Sequence, residues 1–219
     1  MIKTLYLIAF LLFGLNCNAQ EIDADLLAIK AKMDAVNTFS AKLQLDLDAP
    51  FINMPTKRAE MEYQRGKDLK FSSDDFVILP KRGLDFTLSE LFEHPFITVD
   101  RGMQTLDGNQ VKVLNVIPTG DDSDMALATL FLDTEQQRIA ASEITTKKNG
   151  TYKLKMEYDQ ASTVLPNYVE VAFAIEKLKI PLNFMGSDTK IDRKTMRNMD
   201  TKTGVLKLKI TDYQIDLQP

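Results

Sequence analysis

The side chains able to do covalent or metal chemistry in this sequence are few. His94 is the only histidine. It stands between Glu93 and Pro95, and any Ser-His-Asp or Cys-His catalyst would have to use it, yet no nucleophile motif accompanies it. Cys17 is the only cysteine, and it sits so near the N-terminus that a thiol nucleophile or a Cys/His zinc site has no ligands to draw on further along. Asp121, Asp122 and Asp124 crowd one turn and offer the oxygen ligands that calcium takes. They lack the Gly and the downstream Glu of the known loop motif, so a solvated turn is the better reading. The 31 acidic residues contain no pair singled out by spacing for glycoside hydrolysis. The 9 glycines fall at turns and none forms a phosphate-cradling loop. The expectation is a protein that is not an enzyme and takes no metal and no cofactor.

What remains is chemistry by solvent exclusion. Phe39, Ala41, Leu43, Leu45 and Leu47 alternate with Ser40, Lys42, Gln44, Asp46 and Asp48, the period of a half-buried strand. The same alternation returns at Ala59, Met61 and Tyr63 and again at Leu69 and Phe71, after an Arg65-Gly66 turn. Apolar faces of this width must cover something. An amphipathic helix precedes them, with Ile22, Leu26, Ile29, Met33 and Val36 at helical spacing and Asp23 and Asp25 at its start, where the helix dipole favours acids. This helix is the ordinary cover for Phe39, Leu43, Leu45, Met61, Tyr63 and Phe71. One helix lies over only part of so wide a sheet, and the uncovered part is an apolar cavity or is packed by other elements.

Further strands are predicted at 76–79, 96–106, 110–117, 125–132, 138–145, 151–158, 168–175 and 177–184, and a short helix at 84–93. Asp107-Gly108 and Asn149-Gly150 mark tight hairpins. The last strand, 204–215, carries Leu206, Leu208 and Ile210 on one phase but Tyr213 and Ile215 on the other, which predicts a bulge. Between 187 and 203 lie Lys190, Arg193, Lys194, Arg197 and Lys202, interrupted by Asp188, Asp192 and Asp200. The mixed signs favour a solvated loop, with a flap touching acidic headgroups or a partner as the rival. Met196 and Met199 would give such a flap an apolar underside. The fold class expected is α+β, mainly antiparallel β: a strongly curved sheet forming a half-open barrel, its hollow plugged by the N-terminal helix and short helices.

The N-terminus supplies the address. Lys3 is a small basic head, residues 5–15 are almost wholly apolar, and Cys17-Asn18-Ala19 offers small residues before Gln20. This is the layout of a secretory signal peptide over 1–19, leaving 20–219 as one domain. A spanning helix needs about 20 apolar residues, more than this run provides. Lipidation of Cys17 is the lesser alternative, since Asn16 occupies a place where a small uncharged side chain is expected. The expected location is periplasmic. Removing Lys3 takes the formal charge from -4 to -5, a mildly acidic balance that excludes a typical nucleic-acid binder. Trp is absent, with 10 Met and 12 Phe supplying a soft interior.

Several stretches together are similar to the LolA/LolB superfamily of periplasmic lipoprotein carriers: residues 39–47, Met54-Pro-Thr-Lys-Arg-Ala-Glu-Met-Glu-Tyr63, Phe76-Val-Ile-Leu-Pro80, Thr129-Leu-Phe-Leu-Asp133 and Leu165-Pro166. The resemblance implies a half-barrel with a helical lid whose apolar hollow shelters acyl chains on their way to the outer membrane. The carriers place a basic residue before the proline of the second strand, where it takes part in lid control. Met54 stands there in this chain, so that role does not carry over. On this reading Leu43, Leu45, Met61, Tyr63, Phe71, Phe76 and Phe131 line the hollow. The expected partners are lipoprotein acyl chains or lipid, together with envelope membrane proteins, and the protein is expected to be a monomer. A structural or protein-interaction module, its hollow filled by its own side chains, is the alternative.

Overall fold

The computed structural model describes residues 22–67, 69–73, 89–148, 150–159, 164–176 and 188–217. The predicted strands at 76–79 and 177–184, and the first part of the predicted helix at 84–93, lie outside them.

Helix α1 (Ala24–Asp34) starts where Asp23 caps it, the carboxylate accepting from the backbone N–H groups of Asp25 and Leu26. The helix stops two residues earlier than the apolar spacing suggests, because Val36 opens strand β1 (Val36–Asp48). The chain continues through β2 (Ile52–Asn53), β3 (Lys57–Gln64) and β4 (Lys70–Ser72), then a short helix α2 (Ser89–Phe92). A meander follows: β5 (Phe96–Leu106), β6 (Asn109–Pro118), β7 (Met125–Asp133), β8 (Arg138–Thr146), β9 (Gly150–Glu157) and β10 (Tyr168–Ile175). The described residues end with β11 (Lys190–Ile191), helix α3 (Arg193–Asn198) and the long β12 (Lys202–Leu217).

Ten of these strands form one antiparallel sheet in the order β4-β3-β1-β12-β10-β9-β8-β7-β6-β5. The sheet is curved and unclosed, an open barrel. The first and last strands lie side by side, β1 against β12, third and fourth from the β4 edge. Asp107 and Gly108 both take positive φ, 50° and 86°, as the hairpin between β5 and β6 requires. The predicted bulge in β12 is present. Ser40 pairs with Gln214 while Lys42 pairs with Thr211, and Asp212 in the extra stretch has φ 57°. That one irregularity moves Tyr213 and Ile215 onto the face already occupied by Leu208 and Ile210.

Strand alternation sorts most of the core onto one side of the sheet, although Val111 and Val113, out of phase with Leu114 and Val116 on β6, are buried on the other. One cluster runs from Phe39, Leu43 and Leu45 across Ala59 and Met61 on one side and Ile210, Leu208, Val171, Val169 and Leu154 on the other. A second joins Leu26 and Ile29 of α1 to Leu114, Val116, Ala128, Leu130, Leu132 and Ile139. Ile144 and Met156 pack against both, so the two are one continuous apolar surface. The helix therefore lies over β6, β7 and β8. The expectation that it covers Phe39, Leu43, Met61 and their neighbours is corrected here: it covers the opposite half of the same face.

An ionic anchor fixes it there. The Lys112 ammonium, on β6, donates to Asp23 Oδ2 and Asp25 Oδ2 at 2.7 Å each, with Asp100 at 3.6 Å. Burial works against the Lys112 charge, but the hydrogen bonds to the two helix-start carboxylates outweigh it and hold its pKa well above the ordinary lysine value.

The segment before β12 is structured. β11 pairs with β2, placing Lys190 beside Asn53 and Ile191 beside Ile52. Asp192 caps α3 through the N–H groups of Lys194 and Thr195. Met196 and Met199 pack with Ile191 against Ala49, Phe51 and Ile52. The expected solvated loop is thus a small cap with an apolar underside.

Candidate functional site

Among the residues expected to line the hollow, Leu43, Leu45, Met61, Tyr63 and Phe71 belong to one cluster on the half of the concave face away from α1. Register explains it. Leu43 sits opposite Ala59, Phe39 opposite Tyr63, Ala41 opposite Met61, and Met61 opposite Phe71, so every second residue of β1, β3 and β4 points the same way. Phe39 stacks on Tyr63 with ring centroids 5.3 Å apart and meets Tyr213 edge-on at 5.8 Å. These aromatic contacts close the end of the cluster at which β12 bulges. Tyr213 donates its hydroxyl to the Pro166 carbonyl at 2.8 Å, and burial pushes its pKa well above the ordinary tyrosine value. Tyr158 behaves alike, donating to the Ile139 carbonyl at 2.9 Å, its pKa raised chiefly by burial.

Phe131 does not join them. It alternates with Leu130 and Leu132, which face α1, so its ring lies on the outer side of β7, half-buried opposite Val113 and Ala141. The run Leu130-Phe131-Leu132 is apolar at every position and conceals the alternation that decides a face. Phe76 lies outside the described residues. His94 is half-buried between α2 and β5. Among the described residues no group of His, Cys, Asp or Glu is gathered as metal ligands, Asp121, Asp122 and Asp124 included.

One inward residue escaped sequence reasoning. Lys57, opposite Leu45, has 2% of its surface exposed and its ammonium pairs with Asp188 at the start of the cap. The alternation that sends Ala59, Met61 and Tyr63 inward sends Lys57 inward too, and that phase was the available signal. The lysine stem lines the end of the apolar face while its charge ties β3 to the cap. Its hydrogen bond keeps the Asp188 carboxyl below the ordinary carboxylate value.

Hollows along the same strands are more polar in character. Depressions of about 540 and 670 Å³ run along β1, β3 and β12. Their linings mix polar residues, Ser40, Glu62 and Gln214 in the first and Lys42, Arg58 and Lys209 in the second, with Phe39 and Tyr63 in the first and Leu43 and Ala59 in the second.

A wide antiparallel sheet that curls without closing and clasps an N-terminal helix on its concave face defines a class: the fold is LolA-like. Two crystal structures share it. A DUF1329 family protein from Desulfovibrio piger aligns over 90% of this chain and 93% of its own, with a TM-score of 0.55 and 10% identity. A domain assigned to outer membrane lipoprotein sorting, from Vibrio parahaemolyticus, aligns over 88% of this chain and 91% of its own, with a TM-score of 0.50 and 13% identity. A LolA superfamily protein from Nitrosomonas europaea aligns over 89% and 94%, with a TM-score of 0.47 and 10% identity. No family model matches the chain, and no curated protein matches it in sequence. At 10% and 13% identity the first two alignments establish a common fold and leave the activity to the site itself.

Proposed function

We propose that the protein is a non-enzymatic periplasmic carrier which shelters lipid or lipoprotein acyl chains on the concave face and assists their transfer toward the outer membrane. The observation that carries this reading is that, among the described residues, no helix packs on the larger part of that face. Helix α1 occupies the half over β6, β7 and β8. The half formed by β9, β10, β12, β1, β3 and β4 carries a larger apolar cluster, with short segments such as Met54, Val164 and Leu165 packed against it. Leu43, Leu45, Met61, Tyr63 and Phe71 are the proposed lining, with Phe76 as a further member. Binding would work by exclusion of water, worth about 0.8 kcal/mol for each methylene buried. The domain proposed to do this is 20–219, released by cleavage of the signal at 1–19, and the protein is proposed to act as a monomer. The lipoprotein-sorting description of the Vibrio domain is consistent with such a role.

The test is to purify the protein from its native envelope and to analyse co-extracted lipids by mass spectrometry, then to offer the stripped protein an acylated peptide. Co-extraction of lipid and saturable uptake of the peptide are the expected results. A lipid-free preparation that ignores the peptide would overturn the reading. It would favour an envelope interaction module with a self-filled core, a reading that draws support from the burial of Phe39, Leu43, Leu45 and Met61 at 1–6% exposure.

A further inference from the structure

We propose that the cap formed by β11 and α3 is a docking surface for a bilayer rich in anionic phospholipid headgroups. The sequence of this segment alternates in sign, but in the structure two of its three carboxylates are already engaged while four of its cations are not. Asp192 is used within the cap, accepting from the N–H groups of Lys194 and Thr195 and from the Thr195 hydroxyl. Asp188 is used by the buried Lys57. Lys202 turns its ammonium onto the carbonyls of Glu176, Met199 and Asp200. Lys190, Arg193, Lys194 and Arg197 are all exposed, and no ion pair engages them. Asp200 is the one exposed carboxylate of the segment outside these arrangements.

Helix periodicity gathers three of these cations. Arg193, Lys194 and Arg197 fall within one arc of α3, and Met196 lies outside that arc, packed with Met199 onto the cluster of Ala49, Phe51 and Ile52. A protein with a formal charge of -4 therefore presents a compact cationic surface backed by apolar packing. A protein interface would be expected to centre on buried apolar or aromatic anchors. The exposed large apolar side chains among the described residues are Leu27, Val99, Met103 and Leu217, none of them in the cap. A diffuse cationic surface without an apolar anchor matches the headgroup layer of an anionic bilayer, whose attraction acts within about 8 Å at physiological ionic strength. Met54 packs against both the cap cluster and the main apolar cluster, so docking here would bring that end of the concave face to the membrane.

The experiment is co-sedimentation of the exported protein, as processed by the cell, with vesicles of phosphatidylcholine alone and of phosphatidylcholine with phosphatidylglycerol. Binding to the anionic vesicles only, and its loss on adding salt, is expected. Combining Lys190→Gln, Arg193→Gln, Lys194→Gln and Arg197→Gln should weaken partitioning by roughly six hundredfold, at roughly fivefold per cation. The charge-conserving pair Arg193→Lys and Arg197→Lys should bind as the parent does. Circular dichroism of the fourfold variant separates lost docking from lost fold, and the salt dependence of the parent stands without any variant. Equal binding to neutral vesicles, no binding to anionic ones, or a fourfold variant that folds and still binds would overturn the proposal. Retention of the parent but not the fourfold variant on immobilised polyglutamate, without vesicle binding, would reassign the surface to an acidic protein. Lipid co-extraction reads the concave face separately, so either proposal can fail alone.

Discussion

A lysine buried to 2% exposure tolerates its surroundings only because its charge is answered, and Lys57 has Asp188 to answer it. Removing the carboxylate is therefore worse than removing both partners. Asp188→Asn should lower stability to urea. Lys57→Met, which keeps an unbranched apolar stem on the concave face, should cost less, and the double variant should recover most of what Asp188→Asn loses. A double-mutant cycle from urea unfolding measures this coupling; additive losses would mean that the pair holds nothing together. Gly150 offers a second test at this scale. Its φ is 109°, and a Cβ built there would lie 2.2 Å from the Ala174 carbonyl oxygen. Gly150→Ala should destabilise by about 2 kcal/mol or more, since both the backbone angle and the neighbouring strand resist it.

The elements were legible in the sequence to different depths, and the differences have physical causes. The alternation of β1 and the phase change in β12 both reached the structure, because a strand buried on one face writes its orientation into every second residue. What an amphipathic helix covers is not written in its own spacing. Leu26 and Ile29 say that α1 has an apolar side, but the partner is chosen by Lys112, 87 and 89 positions away from the carboxylates it holds. Phe131 was misplaced for a related reason, since an unbroken apolar run carries no phase. The cap was hidden because mixed charges look solvated until Asp192 is seen to cap α3 and Asp188 to pair with Lys57. If α1 is an integral part of the core, Leu26→Ala should cost about 3 kcal/mol, as full burial of a leucine predicts. The melting temperature should then fall by roughly 6–12 °C, at about 2–4 °C per kcal/mol for a chain of this size. A loss below about 1 kcal/mol would instead mark the helix as loosely docked.

For the molecule as a whole, proton binding sets the pH limits. Asp46, Asp188 and Asp192 all have carboxyls held below the ordinary value of 3.8: Asp46 by hydrogen bonds from Thr56 and Gln44, Asp188 by one from Lys57, and Asp192 by one from Thr195. Their contribution is present above that value and is lost as pH falls through the lower folded values, because the unfolded chain then takes up protons that the fold resists. Lys112, Tyr158 and Tyr213 are raised instead. The stability linked to these three is intact below their ordinary values of 10.5 and 10.0 and drains away above them. Urea midpoints should therefore be flat between about pH 5 and 9 and decline on both sides. The same whole-molecule measurement can ask whether the concave face has room. Ala59 lies opposite Leu43 in the proposed lining and is 7% exposed. In a fully self-packed interior, Ala59→Leu forces neighbours off their rotamers at a cost of about 1–3 kcal/mol. In a carrier, the added methylenes enter space that cargo would otherwise use. The carrier reading therefore predicts little change in the urea midpoint at pH 7 and a fall in co-extracted lipid per molecule of protein. A clear loss of stability with lipid content unchanged would place this part of the face in a closed core.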